Sequence, residues 1–265
     1  MALSEVTKRN VHRDRRVLGR NWSRVYGNYF SDERVLRSFV DLSSRHLEAL
    51  PKKPKILYVC SGTGLLGERV VEHLRKRGKM PSLTIVDASE AQLSQNTNPA
   101  THKVLGDLLR LHLHEKFDLV IMRSSLDYFH TPALQVAALK RVKAHMANGG
   151  IFINQCAALP TLAERNLANA IYSANPKIGK RHFQSIDLPA LYTRAGLDVE
   201  KLGAAPQLFL SSSDHVLRYG LSLDEVAKIQ RLIASTPAAK RPSIKIASKS
   251  YKLTFDFPIY VARKK

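Results

Sequence analysis

Apolar positions change their spacing several times along the chain. Residues 1–20 are polar and arginine-rich (Arg13, Arg15, Arg16, Arg20) with no clear apolar period, so a loose lead-in is expected. The aromatics Trp22, Tyr26, Tyr29 and Phe30 follow, and Ser31 is placed to cap a helix with Leu36, Phe39, Val40 and Leu47 on its apolar face. Pro51-Lys52-Lys53-Pro54 reads as a linker. Ile56–Val59 then predicts a strand entering Ser61-Gly62-Thr63-Gly64, and Leu65, Leu66, Val70, Val71 and Leu74 mark one face of the next helix. Further strands are predicted at Leu83–Val86, Lys103–Leu105, Phe117–Met122 and Ile151–Asn154, with a helix bearing Leu139, Val142 and Met146 before the last. Near-continuous apolar strands alternating with helices predict a parallel sheet covered on both faces.

After residue 156 the rhythm slows. Residues 160–183 read as an inserted helix and loop, and Leu188–Arg194 as a short helix closed by Gly196. Val199–Leu202 and Gln207–Leu210 offer strand material. Ser222-Leu-Asp-Glu225 fits a capping box opening a helix with Val226, Ile229, Leu232 and Ile233 inward. Tyr251–Ala262 alternates apolar and polar residues and predicts a terminal strand.

The 265 residues are 44% apolar and 24% charged, ordinary for a globular protein. No apolar run approaches the roughly 18 residues of a membrane span, and no apolar signal core opens the chain. Two cysteines, Cys60 and Cys156, exclude a multi-disulfide framework and a cysteine-based zinc finger. The expectation is a cytoplasmic protein without a metal site. Its charge is less ordinary, at a net +20. Residues 1–55 hold 13 basic and 6 acidic side chains and residues 176–265 hold 16 and 7, whereas residues 56–120 are balanced at 8 and 7. Such flanks suit an anionic partner such as RNA, a phosphorylated metabolite or an acidic membrane surface, or form only a solvated basic surface.

The strand-to-helix turn carries the chemistry. Gly62-x-Gly64-x-x-Gly67 matches the dinucleotide fingerprint, with Asp87 some twenty residues on at the end of the second strand. Glycines let backbone approach a ligand, and an acid at that distance accepts hydrogen bonds from a ribose diol. An adenosine-containing ligand follows; the triplet alone does not say which.

The order of motifs resembles the class I S-adenosylmethionine-dependent methyltransferases, in particular the small-molecule type that includes quinone-biosynthesis enzymes. Ile56-Leu-Tyr-Val-Cys-Ser-Gly-Thr-Gly64 stands where that family has its glycine-rich first motif, and Asp87 at its ribose-binding acid. Gly106-Asp107 matches the pair whose carboxylate meets the adenine amino group. Phe117-Asp-Leu-Val-Ile121 resembles its fourth strand, and Leu139-Lys-Arg-Val142 to Gly149-Gly150 the helix and turn before its fifth. Leu191-Tyr-Thr-Arg-Ala-Gly-Leu197 resembles the short helix before its closing strand pair. The resemblance implies an α/β fold: a Rossmann-like, doubly wound, mostly parallel seven-stranded sheet with helices on both faces and an antiparallel C-terminal strand pair. It implies S-adenosyl-L-methionine as cofactor, held by Tyr58, Cys60, Gly62, Gly64, Asp87, Ala88, Gly106, Asp107, Leu108, Arg123 and Ser124. Tyr58 departs from the family, which has there an acid that helps hold the methionine amine. Cys60 stands where the family has a first glycine.

Residues 1–54 read as a basic extension with a lid helix, and residues 55–265 as the methyltransferase domain with a cap inserted at about 158–186. An acceptor pocket belongs beyond the carboxyl ends of the strands. His130, Asp127 and Tyr128, after the fourth strand, are the candidates for orienting the acceptor or removing its proton. Trp22, Tyr26 and Tyr29 are lid candidates, and Lys177, Arg181 and His182 a clamp for an anionic acceptor. The expected function is methyl transfer to a small molecule. An RNA methyltransferase using the basic flanks and a non-catalytic methyltransferase-like subunit are the alternatives.

Overall fold

A computed structural model describes residues 3–17, 28–185 and 187–265. Five strands meet the sheet in parallel: β1 (Lys55–Val59), β2 (Ser82–Asp87), β3 (Thr101–Leu105), β4 (Phe117–Arg123) and β5 (Met146–Gln155). Then come β6 (Leu197–Ser211), β7 (Ile244–Ala247) and β8 (Ser250–Lys264), and the order across the sheet is β3-β2-β1-β4-β5-β8-β6. β8 runs antiparallel to both β5 and β6. The sheet has eight strands where seven were expected. The extra one, β7, takes the edge of β8 at residues 250–253 that β5 leaves open. Its four residues are too few to announce a period.

Alternation along the parallel strands feeds two apolar cores. Ile56 and Tyr58 point to one face, under α2 (Glu33–Glu48) and α3 (Leu65–Lys76), while Leu57 and Val59 point to the other. There they meet α5 (Pro132–His145) and α7 (Leu188–Arg194). Helix α2 is capped by Asp32, not by the expected Ser31: the Arg34 amide donates to Asp32 Oδ1 at 2.8 Å. A single turn, α4 (Glu90–Leu93), follows β2.

Among the described residues, the lead-in is helical where a loose segment was expected. Glu5–Val17 forms helix α1, started by Ser4, whose hydroxyl accepts from the Thr7 amide at 3.3 Å. Its contacts with the cavity are made by buried Thr7 and half-buried Asn10 and Val11, too mixed a set to give an apolar period.

The cap has two sources. The expected insertion supplies α6 (Leu162–Ser173), but a second segment, between β6 and β7, supplies α8 (Ser212–Tyr219) and α9 (Leu223–Ala234). The capping box at Ser222 is formed as expected. Buried His215 on α8 latches the two sources: its Nε2 meets the Tyr172 hydroxyl at 3.2 Å and its Nδ1 the Tyr251 hydroxyl at 2.7 Å. Lys177 pairs with Glu225 on α9 at 2.8 Å, and Glu164 accepts from the Ser243 amide at 2.6 Å. No helix among the described residues is long and apolar enough to cross a membrane.

Candidate active site

At the carboxyl ends of β1, β2 and β4 the chain reverses direction across the sheet, leaving the crevice expected of an open α/β fold. A cavity of about 160 Å³ opens there, bounded by Cys60, Gly62, Asp87, Gly106, Asp107 and Arg123. Gly64 (φ 81°) ends the turn and starts α3; a Cβ there would lie 2.9 Å from Asn96 Nδ2 and 3.1 Å from Ile85 Cδ1. Cys60 and Ser124, at the tips of the neighbouring strands β1 and β4, also have left-handed backbone, with φ of 50° and 53°. Strain at two adjoining strand ends beside one cavity is the pattern that functional sites keep.

Two carboxylates organise the crevice. Asp87 accepts from the amides of Gly62 at 2.7 Å and Ser89 at 2.9 Å, which binds the glycine turn to the end of β2. Asp107 is 1% exposed and accepts from the amides of Leu109 at 3.0 Å and Ser4 at 2.7 Å. Helix α1 is thereby tied over the cavity, with Thr7, Asn10 and Val11 in its lining.

The residues present suit a polar ligand. Gln92 Oε1, Arg123 Nη1 and Ser124 Oγ are buried in the lining and have no hydrogen-bond partner among the described residues. Such orphans are costly unless a ligand or water satisfies them. Tyr58 replaces the family's acid. Burial pushes its hydroxyl above the ordinary tyrosine range, with the neighbouring Arg123 opposing, so the position carries no negative charge. A second Arg123 nitrogen donates to the Phe30 carbonyl at 2.9 Å.

A smaller cavity of about 50 Å³ adjoins the first, and Phe30, Ser124 and Tyr128 line both. Its walls come from both cap segments and from β8: Tyr172, Phe183, Tyr219, Phe255 and Phe257, with Asp127, Arg181 and Arg218 as its charged groups. The turn Leu126–Tyr128 is held in place by the cap, because the His182 amide donates to the Asp127 carbonyl at 3.0 Å. Gln135 Nε2 donates to both the Leu126 and His182 carbonyls, at 3.0 and 2.7 Å.

Of the expected cofactor contacts, all but Gly64 line the larger cavity. Tyr128 borders both cavities, and Asp127 and Arg181 line the smaller one. His130 lines neither; burial, with Lys180 and Arg9 nearby, lowers its pKa. His182 reaches the site through its backbone alone, Lys177 is engaged with Glu225, and Tyr29 packs on Phe257 at 5.1 Å between centroids behind the cavity wall. Trp22 and Tyr26 lie outside the described residues. Cys156 is fully buried, and burial pushes its thiol well up, the reverse of nucleophile activation. Sequence reasoning missed Arg218 and Tyr219, for which no motif exists. Phe255 and Phe257 entered it only as alternating positions of the terminal strand, not as site residues. Among the described residues no group of side chains could hold a metal ion.

A family model described as a methyltransferase domain matches residues 31–202. That span is more than half of the chain, and the protein belongs to this methyltransferase family. Its fold is that of the class I, S-adenosylmethionine-dependent branch. Among solved structures, YcgJ from Bacillus subtilis is similar at a TM-score of 0.67 and 13% identity, over 86% of this chain and 99% of that one. A candidate methyltransferase from Bacillus halodurans C-125 is similar at 0.64 and 15%, over 86% and 100%. The plantazolicin methyltransferase BpumL, solved with a monoazolic desmethylPZN analogue and SAH, is similar at 0.54 and 13%, over 98% and 97%. At these identities the likeness establishes the fold. No curated protein sequence matches the chain.

Proposed function

We propose that this chain transfers the methyl group of S-adenosylmethionine to a small-molecule acceptor. The observation that carries the proposal is the pair of adjoining cavities, one at the glycine turn and one under the cap, which share Phe30, Ser124 and Tyr128 as their boundary. A small second cavity lined largely by aromatic side chains suits a compact acceptor better than a nucleic-acid strand. BpumL, of similar fold, was solved with SAH together with a monoazolic or a pentazolic desmethylPZN analogue, which is in keeping with a non-nucleic-acid acceptor.

Asp87 would take the ribose hydroxyls and Asp107 the adenine amino group, while Arg123, with its unsatisfied Nη1, would take the methionine carboxylate. The bound cofactor supplies an electrophilic methyl carbon on a sulfonium, displaced in line by the acceptor. The protein's part is alignment and exclusion of water, and α1 and the cap cover the two cavities for that purpose. Tyr128 stands at the boundary to orient the acceptor. Asp127, 6% exposed in the second cavity, would receive a proton where the attacking atom carries one.

Incubation with methyl-labelled S-adenosylmethionine and a cell extract, split into a low-mass fraction and an RNA fraction, tests the proposal. Label is expected in the low-mass fraction. Incorporation confined to RNA would overturn the small-molecule assignment.

A further inference from the structure

We infer that Tyr172 and Tyr219 form a two-donor seat for a carbonyl oxygen in the second cavity, and that the acceptor is a flat, conjugated molecule bearing that oxygen. This rests on the methyl-transfer reading above and narrows its acceptor. The two phenols come from different cap segments, α6 and α8, and line the same cavity. Both pack on one imidazole: the His215 ring centroid lies 5.4 Å from that of Tyr172 and 5.7 Å from that of Tyr219. Tyr219 supplies the first donor. It is 5% exposed, and its hydroxyl has no hydrogen-bond partner among the described residues. A buried hydroxyl in that state is costly until a ligand atom accepts from it.

An independent observation assigns the second donor. His215 is fully buried and burial keeps it neutral, so one ring nitrogen donates and the other accepts. The Tyr251 hydroxyl stands 2.7 Å from Nδ1, the distance of a hydroxyl donor, and the Tyr172 hydroxyl 3.2 Å from Nε2, the long end of the range for an N–H donor. Tyr251 therefore donates to Nδ1, and Nε2–H donates to Tyr172. The Tyr172 hydroxyl keeps its own proton for another acceptor, and no other hydrogen bond among the described residues uses it. Burial holds this phenol well above the ordinary tyrosine range, so the proton stays in place. A carbonyl oxygen, with two lone pairs and no proton, answers two neutral donors. Phe30, Phe183, Phe255 and Phe257 complete the walls and favour a flat ring over a sugar.

The test is calorimetric titration of the full chain, preloaded with S-adenosylhomocysteine, with acetophenone and indanone, each paired with its hydrocarbon, ethylbenzene and indane. At least one ketone is expected to bind about tenfold or more tightly than its hydrocarbon, against the order that apolar burial alone would give. Tyr219→Phe should cut that preference several-fold, with S-adenosylhomocysteine affinity changed by less than about twofold. The ligand-free variant should melt at or above the wild-type temperature, because the hydroxyl it loses is unsatisfied. Nitrogen chemical shifts of the His215 ring should show Nδ1 without a proton. Ketones and hydrocarbons binding alike, no ketone binding at all, or a preference that survives Tyr219→Phe would overturn the seat. So would a Tyr219→Phe protein less stable than wild type, whose hydroxyl would then be satisfied already, or a proton on Nδ1, which would commit the Tyr172 proton to the imidazole. Ketone preference in a protein that takes no S-adenosylhomocysteine would overturn the cofactor assignment and leave the seat standing.

Discussion

Cys60 holds a backbone angle, φ 50°, that L-residues reach at a cost of about 1–2 kcal/mol, at the point where the resembled family has glycine. The left-handed turn has therefore been kept while its usual residue has not. Cys60→Gly is expected to leave stability unchanged or raise it, against the usual loss of roughly 0.5–1 kcal/mol for a glycine placed in regular structure. Cys60→Val, branched at Cβ, should lower it by about 1–3 kcal/mol. Chemical denaturation of the two variants measures both, and a Gly variant less stable than the Val variant would contradict the assignment of strain. Asp87 carries the second expectation at this scale. Asp87→Ala should weaken S-adenosylmethionine binding at least about tenfold, since the carboxylate both holds the Gly62 amide and faces the cavity. An affinity equal to wild type would remove Asp87 as a ligand.

Among the elements, one buried histidine joins the two segments over the smaller cavity. His215 sits between the hydroxyls of Tyr172 and Tyr251, and burial pushes its pKa down to about 4. The folded protein thus holds it neutral while the unfolded chain, near 6.5, takes up a proton more readily. Its contribution is complete above about pH 6.5 and is lost as pH falls toward 4, by on the order of 3 kcal/mol at full titration. Denaturant unfolding at pH 7 and pH 5 should show the drop, and His215→Gln should reduce it; equal pH dependence in both proteins would locate the titration elsewhere. The elements also show where sequence pattern reaches its limit. Strands β1, β2, β4 and β5 were legible because the middle of each is buried on both faces, which leaves short apolar runs such as Ile56–Val59, Leu119–Met122 and Ile151–Ile153. Helix α1 was not, because its contact with the site runs through the Ser4 amide, Thr7, Asn10 and Val11, which give no hydrophobic period. Helix α8 was missed for a related reason. Val216 and Leu217 on it are exposed, while Arg218 and His215 are buried, the inverse of an amphipathic pattern.

At the scale of the whole molecule, the first half of the site was readable and the second was not. The cofactor crevice is made by consecutive strand ends, so Gly62, Asp87 and Asp107 appear in chain order with recognisable spacing. The smaller cavity gathers Phe30, Asp127, Arg181, Arg218 and Phe257, which only the folded sheet and its two insertions bring together. The net charge of +20 is a property of the same scale, and it governs association rather than fold. Mixed with bulk tRNA, the protein should bind with an affinity that falls steeply between low and physiological salt and should transfer no methyl group to it. Methylated tRNA at physiological salt would instead make the basic flanks part of the substrate site.

The most direct measurement is calorimetric titration of the purified chain with S-adenosylmethionine. One molecule is expected to bind per chain, with affinity in the micromolar range and diminished in Asp87→Ala. Neither heat nor a thermal shift at about 1 mM ligand would contradict the account, because the crevice at the strand ends would then not be a cofactor site.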